Sequence, residues 1–399
     1  MTEGALEGIK ILDLTHYIAG PYCTKILADF GADVLKVERP GLGDSARQMG
    51  PFYQDDPHLE KSGLFLFLNT NKQSITLDLE TATGGNIVRK LVEEADVLVE
   101  NFAPGVMDKL GLGYDVLEKI NPRLIMVSIS NFGQSGPYRD YKAEDIVEYA
   151  MSGLMYVIGN YDREPVKHGG TAAQFTAGEV AAITVLMALN VQQDSGQGDY
   201  IDVSIQEAVT APQYTLLMPY VYSGGVKRRS LKGGGDLTQN NAIATKDGYV
   251  VPSITNMEWS LLALSLELTE ELDNSKFDTP AARVLNGEEL DDIIHKRFLE
   301  KTKADLFHET QAFGSSFGIV MSTEDLLNCP QLAEREFFPE VDHPFTGSLK
   351  YPGAPFKMPE GGWQKGSAPL LGEHNREIFI DRLGYSQEDL VKFRELGIS

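Results

Sequence analysis

Cysteine is nearly absent from this 399-residue chain: there are two, Cys23 and Cys329, and neither lies in a CxxC pair or a Cys/His cluster. That spacing supplies no zinc ligand set and no disulfide framework, and no metal is expected. Basic residues are also scarce, with 35 Lys and Arg against 58 Asp and Glu, for a formal net charge of −23. A surface of that sign repels nucleic acid and anionic lipid, so neither is an expected partner. Any anionic ligand must instead be met by locally placed Arg, Lys or backbone N–H groups. No stretch approaches ~18 uninterrupted apolar residues, so no membrane span is expected. The opening MTEGALEGIK lacks a basic start followed by an apolar run. It does not read as a signal peptide, and the expected location is cytoplasmic.

What is present forms a core. Hydrophobic residues make up 42% of the chain and charged residues 23%, which argues for a folded protein, and the length suggests about two domains. Strand signals at 9–14, 33–37, 97–99 and 124–129 alternate with helical signals at 21–31, around Ile87, Val88, Leu91 and Val92, and over 106–119. Strands separated by amphipathic helices predict α/β units around a mostly parallel sheet. A long Ala-, Val- and Leu-rich helix is predicted over 174–191, and a last helix near 386–396. Residues 222–236, YSGGVKRRSLKGGGD, form the clearest loop, because Gly233, Gly234 and Gly235 in succession suit neither a helix nor a strand interior. The shorter, more charged helical stretches that follow, to about residue 325, read as a smaller second domain.

Several segments carry possible chemistry. GADVLKVERPGLGD (31–44) sets Arg39 at the end of a strand, where ligands of open α/β sheets bind and where a guanidinium pairs with phosphate or stacks on adenine. In ADVLVENFAPGVMDKLGLGYD (95–115), Asn101 and Phe102 end a strand and the chain turns into a helix near Val106. The start of that helix is a candidate anion site. In KAEDIVEYAMSG, Glu144 and Glu148 are spaced i, i+4 and share a helix face beside Asp145. His16 follows the first strand, next to the proposed ligand site.

Taken in order, LDLTHYIAGPYCTKILADFGADVLKVERPG, NKQSITLDL, ADVLVENFAPGVMDKLGLGYD, SGPYRDYKAEDIVEYAMSGLM, GQGDYIDVSIQEAV and APLLGEHNREIF resemble the family III CoA-transferases, the formyl-CoA transferase, CaiB and BaiF group. The resemblance covers nearly the whole chain and is thinnest over 237–330. It implies a large α/β CoA-binding domain with a parallel sheet made from both chain ends (1–220, with 331–399 returning to it), a smaller inserted α+β domain (221–330) and an interlocked homodimer. It also implies an acyl-CoA and a carboxylic acid as substrates. Carried over by matching motifs, CoA contacts fall on Tyr17, Ile18, Arg39, Leu77, Asn101, Phe102, Val106 and Lys109, with Arg139 or Lys142 adding charge. Gly233–Gly235 resembles the glycine lid of some members, and His374 lies in a structural turn of the family.

One position departs from the family. Its nucleophilic aspartate opens a helix in a pattern like G-x-A-x-x-D-x-x-x-G; in HGGTAAQFTAGEVAA (168–182), anchored on Gly178, that place holds Gln174. A neutral amide cannot attack a thioester, although its N–H can donate to a developing oxyanion. The catalytic candidates are therefore Gln174 together with Glu144 and Asp145 as a relocated nucleophile or general base. Glu144 stands where the racemase branch has a catalytic His, so racemisation is not expected. The leading expectation is CoA transfer between an acyl-CoA and a carboxylic acid. An acyl-CoA lyase, hydratase or isomerase, and a non-catalytic acyl-CoA-binding homologue, are the alternatives.

Overall fold

Parallel strands buried on both faces read as apolar runs, and four of the six strands of the main sheet are such runs. In the computed structural model, which describes residues 4–160, 162–229, 242–252 and 259–399, strands β1 (Lys10–Asp13), β2 (Asp33–Glu38), β3 (Gln73–Thr76), β4 (Val97–Glu100), β5 (Ile125–Ser130) and β6 (Asp199–Ser204) form one sheet. Its order is β3-β2-β1-β4-β5-β6 and every pairing is parallel. Helices α1 (Ala19–Asp29), α2 (Gly63–Leu68), α3 (Ala82–Val92), α4 (Val106–Lys109), α5 (Tyr114–Leu117), α6 (Asp145–Met151), α7 (Ala172–Ser195), α8 (Ile205–Thr210) and α9 (Tyr214–Ser223) follow in chain order. The expected α/β class and parallel sheet are observed. The glycines of the expected lid, Gly233–Gly235, lie outside the described residues.

Strand alternation divides the core in two. Ile11, Val97 and Val99 face a layer containing α1, α7 and α8. Leu12, Leu98 and Met126 face the layer of α3 and the C-terminal helix Gln387–Glu395, whose Phe393 is part of that core. The continuous helix expected over 106–119 is instead two short ones. Gly111 takes the left-handed conformation (φ 66°) and ends α4, and a Cβ at Gly113 would lie 2.1 Å from Asp108 Oδ1, so the chain turns there.

The C-terminal segment seals the outer edge of β3. Ser74 N donates to His374 Nδ1 (3.1 Å), Thr76 N donates to Asn375 Oδ1 (2.8 Å), and His374 N returns to Ser74 O (2.9 Å). An edge strand left bare would offer these groups to another chain. Arg47 reinforces the join: fully buried, it binds Glu38 and Glu60 and donates to Pro369 O at 3.1 Å.

Two compact units divide the chain: residues up to 158, 165–227 and 336–399 in the first, and 159–164 with 228–335 in the second. The second holds a small antiparallel sheet of β7 (Ile243–Ala244), β8 (Tyr249–Pro252) and β9 (Phe317–Ile319). Its own core includes Trp259, Leu262, Phe277, Leu290, Ile294 and Phe298.

In the first unit α7 crosses α1 closely because its contact face is small: Ala177, Gly178 and Ala181 are buried there. A Cβ at Gly178 would stand 2.7 Å from Ala19 O and 3.1 Å from the Tyr22 ring. Gly178→Ala should therefore push the helices apart and lower stability by about 1–3 kcal/mol, measured by denaturant unfolding. An unchanged midpoint would mean that the crossing adapts freely.

Candidate active site

The chain leaves β1 for β2 and β3 on one side, then returns to β4 on the other side of β1. That reversal opens a crevice beyond the carboxyl ends of β1 and β4, where open α/β sheets bind ligands. A cleft of about 690 Å³ lies there. His16, Tyr17, Asn101, Phe102, Asn131, Arg139, Lys142, Glu144 and Gln174 are among its lining residues.

Its floor rests on buried charge. Asp13, at the end of β1, accepts from Lys72 Nζ (3.0 Å) and Thr24 Oγ1 (2.7 Å) on one oxygen and from Thr15 N (2.9 Å) on the other. Lys36 reaches Thr15 O (2.8 Å) and Asp44 Oδ2 (2.8 Å). Burial alone would raise the Asp13 carboxyl, but Lys36, Lys72 and the two hydroxyls hold it well below the usual carboxylate range. Burial lowers Lys72 to about 8, with Asp13 opposing and Lys36 assisting. Asp44 then accepts Tyr17 N at 2.9 Å. Tyr17 has φ 72°, a conformation that costs a non-glycine residue about 1 kcal/mol and that this bond helps to hold.

Asn101 clasps the two strand ends. Its Oδ1 accepts His16 N (2.9 Å) and its Nδ2 donates to His16 O (2.8 Å). The His16 ring tilts against Phe102 at 5.5 Å. Burial pushes the His16 imidazole down, with Lys36 and Arg39 adding to the effect and Asp44 and Asp13 opposing it.

On the far wall α6 and α7 meet through carboxylates. Thr171, which precedes α7, gives no side-chain cap. Asp145 supplies it from α6, accepting Ala173 N at 2.9 Å and Gln174 N at 3.4 Å on Oδ1, while Oδ2 takes Lys167 Nζ at 2.8 Å. The carboxylate thus satisfies orphan N–H groups at the start of α7. Gln174 Nε2 donates to Glu148 Oε2 at 2.9 Å. Glu148 is fully buried, and its carboxyl is raised to about 7 by burial, with the Gln174 bond opposing and Asp145 and Glu144 adding. Glu144 precedes α6, is exposed and lines the cleft.

Of the expected CoA contacts, Tyr17, Asn101 and Phe102 line the cleft, although the Asn101 amide is occupied by His16. Ile18 and Leu77 are core side chains, 2% and 1% exposed, so an apolar pantetheine wall does not come from them. Arg39, Val106 and Lys109 are outside the cleft lining; Arg39 is exposed at the end of β2, near enough for its charge to act on His16. Gln174 and Glu144 both line the cleft, whereas both oxygens of Asp145 are engaged. The spacing of Glu148 from Glu144 put the two on one face, but nothing in it indicated that Gln174 and Asn131 would close over Glu148.

Comparison with known proteins decides the family. A sequence model described as CoA-transferase family III matches residues 6–375. The chain belongs to CoA-transferase family III. It is 34% identical over 391 residues to the succinyl-CoA–D-citramalate CoA-transferase of Chloroflexus aurantiacus, covering 97% of this chain and 96% of that one. It is also 34% identical to the mouse succinyl-CoA:glutarate CoA-transferase, covering 98% and 90%. A crystal structure of a CaiB/BaiF family protein from Brucella suis superposes with a TM-score of 0.85 at 30% identity, over 96% of this chain and all of that one. This family III enzyme is a CoA-transferase acting between an acyl-CoA and a carboxylic acid. The lyase, isomerase and non-catalytic alternatives are not favoured.

The family III fold here buries a second raised carboxyl. Glu100, at the end of β4, is pushed to about 7 by burial, against hydrogen bonds from Ser128 and Phe102 N. Its folded value lies above the ordinary ~4.3, so the folded state holds the extra proton. The stability it contributes is full below ~4.5 and is lost as pH rises through about 7. Glu100→Gln should therefore melt above wild type at pH ~8, with the gap closing near pH ~5. An equal gap at both would contradict the assignment.

Proposed function

We propose that this enzyme moves CoA from succinyl-CoA or a similar dicarboxylic thioester to a second dicarboxylic acid, with Glu144 as its nucleophile. Glu144 carries the reading: it is the candidate carboxylate that lines the cleft beside Gln174, whereas both oxygens of Asp145 are hydrogen-bonded. The names of the two curated relatives favour dicarboxylic substrates. Arg139 and Lys142 in the cleft lining suit a free carboxylate in an otherwise acidic chain, and the Arg139 Nε–H is buried with no hydrogen bond among the described residues, its nearest acid being Asp140 Oδ1 at 3.8 Å.

In this mechanism a Glu144 oxygen attacks the thioester carbonyl carbon, the C–S bond breaks, and CoA leaves as thiolate, so that the acyl group and Glu144 are joined in a mixed anhydride. The thiolate attacks the Glu144 carbonyl of that anhydride and expels the first acid, leaving a glutamyl–CoA thioester. The second acid repeats the two steps in reverse and departs as its CoA ester. Gln174 donates N–H to the oxyanion formed at the thioester carbonyl. Arg39 and Lys109 meet the CoA phosphates, Val106 borders them at the start of α4, and Tyr17 and Phe102 flank the thiol arm; Ile18 and Leu77 contribute through backbone alone.

The protein acts as a cytoplasmic homodimer. The outward faces of α7 and α9 support the dimer, since Met187, Val191, Tyr220, Val221 and Tyr222 are each at least 60% exposed. Its free cysteines suit a reducing compartment.

Exchange of labelled succinyl-CoA with glutarate tests the reading. Wild type transfers label only when a second acid is present, and Glu144→Gln loses on the order of 10³ in rate. Transfer by Glu144→Gln at the wild-type rate, or turnover of the thioester without an acid, would overturn it. Arg39→Ala should weaken CoA binding about tenfold with the fold intact, read by calorimetric titration; an unchanged affinity would remove Arg39 from the site.

A further inference from the structure

Glu148 plays no part in the steps above, yet it sits directly behind two residues of the cleft wall. Gln174 Nε2 donates to Oε2 at 2.9 Å. Asn131, its amide assigned in the orientation that satisfies both ends, donates to Oε1 at 2.9 Å and accepts Ala143 N at 2.9 Å. Both amides line the cleft, and Glu148 itself is 0% exposed.

This arrangement fits an ionised carboxylate, since each oxygen accepts an N–H. A proton on Glu148 needs an acceptor, and a buried hydroxyl left without one costs about 1–3 kcal/mol. One of the two amides must then turn its oxygen toward Glu148. Asn131 is held in place by Ala143 N, because turning it would set its NH₂ against that backbone donor and leave it only a long 3.4 Å bond to Ala143 O in return. Gln174 has no comparable second tie through its amide oxygen among the described residues and is the one free to turn.

We infer that Glu148 is a positioning residue whose protonation decides which end of the Gln174 amide faces the cleft. Ionised, it holds the Gln174 NH₂ against itself; protonated, it donates to Gln174 Oε1 and turns the NH₂ into the cleft. The second form places an N–H donor where a thioester oxyanion develops and removes a negative charge from behind it, so it is the faster form. The carboxyl value of about 7 puts the change in the working range. The titratable groups that act on it are Glu144 just before α6, Asp145 on α6 with its partner Lys167, and the Tyr17 phenol from the β1–α1 turn, while Tyr156 just beyond α6 and Glu207 on α8 are exposed. From α7 and the end of β5 it meets the neutral amides of Gln174 and Asn131.

The kinetic part rests on the transferase reading, so the test has two arms. In ¹⁵N-labelled full-length protein, the Gln174 side-chain amide signals, assigned by their loss in Gln174→Glu, should shift with a midpoint near 7. They should stay fixed in Glu148→Gln, which reproduces the protonated pattern by donating its own N–H to Gln174 Oε1. In the exchange assay, wild-type rate should fall about tenfold between pH ~6 and ~8 as a single group ionises. Glu148→Gln should flatten that fall to below about twofold. Glu148→Ala should lose the pH limb and about tenfold in rate, with kcat falling more than KM rises. Gln174 signals that ignore pH, or a pH limb that survives in Glu148→Gln, would overturn the inference. If wild type transfers nothing, the transferase reading fails, and the amide titration alone still decides the role of Glu148.

Discussion

The site depends on a knot of buried charge at the carboxyl end of β1. Asp13, Lys36, Lys72 and Asp44 are each less than 5% exposed and paired. Ion pairs of this kind gain little net stability over an apolar replacement, but removing one member leaves a buried charge worth about 3–5 kcal/mol of destabilisation. They supply direction instead. Lys36 holds Thr15 O, Asp44 holds Tyr17 N, and Asn101 holds both backbone groups of His16. Each residue of the turn from β1 to α1 therefore has one fixed place, including the left-handed Tyr17. The cleft is a consequence of that turn meeting the end of β4 at the point where the sheet changes direction.

The opposite wall shows how a family III site accommodates an amide in place of its acid. Three carboxylates cluster at the start of α6 and take different roles because their surroundings differ. Asp145 is tied by two backbone N–H groups and Lys167, and through those bonds it begins α7. Glu148 is buried beside two other carboxylates, which favours the neutral form against the N–H bond from Gln174. Glu144 remains exposed at the cleft. Gln174 stands between the last two, hydrogen-bonded to Glu148 while facing the space beside Glu144. Its neutrality is compatible with this crowding, whereas an aspartate there would add another negative charge beside Glu148.

Much of the fold was legible from the sequence because its signals are strong. The apolar runs of β1, β2, β4 and β5 and the long α7 need no tertiary context to be read. The polar strand QSIT of β3 carried no such signal: its edge is satisfied by His374 and Asn375, some 300 residues downstream. The break between α4 and α5 was visible in Gly111 and Gly113 but was outweighed there by apolar spacing. The placement of Gln174 beside acidic residues of α6 followed from motif order. What the sequence could not show was how oxygens are shared. Asp145 and Glu148 lie three residues apart on one helix, yet one caps α7 and the other supports a side chain, and only the crossing of α6 with α7 separates them. Ile18 and Leu77 matched family contact positions but turn inward here, since their neighbours in β1, β2 and α1 are core.

Peptide mass spectrometry of the enzyme mixed with succinyl-CoA and quenched in hydroxylamine addresses the central claim most directly. The account predicts a hydroxamate on Glu144, dependent on the thioester and absent from Glu144→Gln. A hydroxamate on another carboxylate, or label exchange at full rate with none formed, would contradict it.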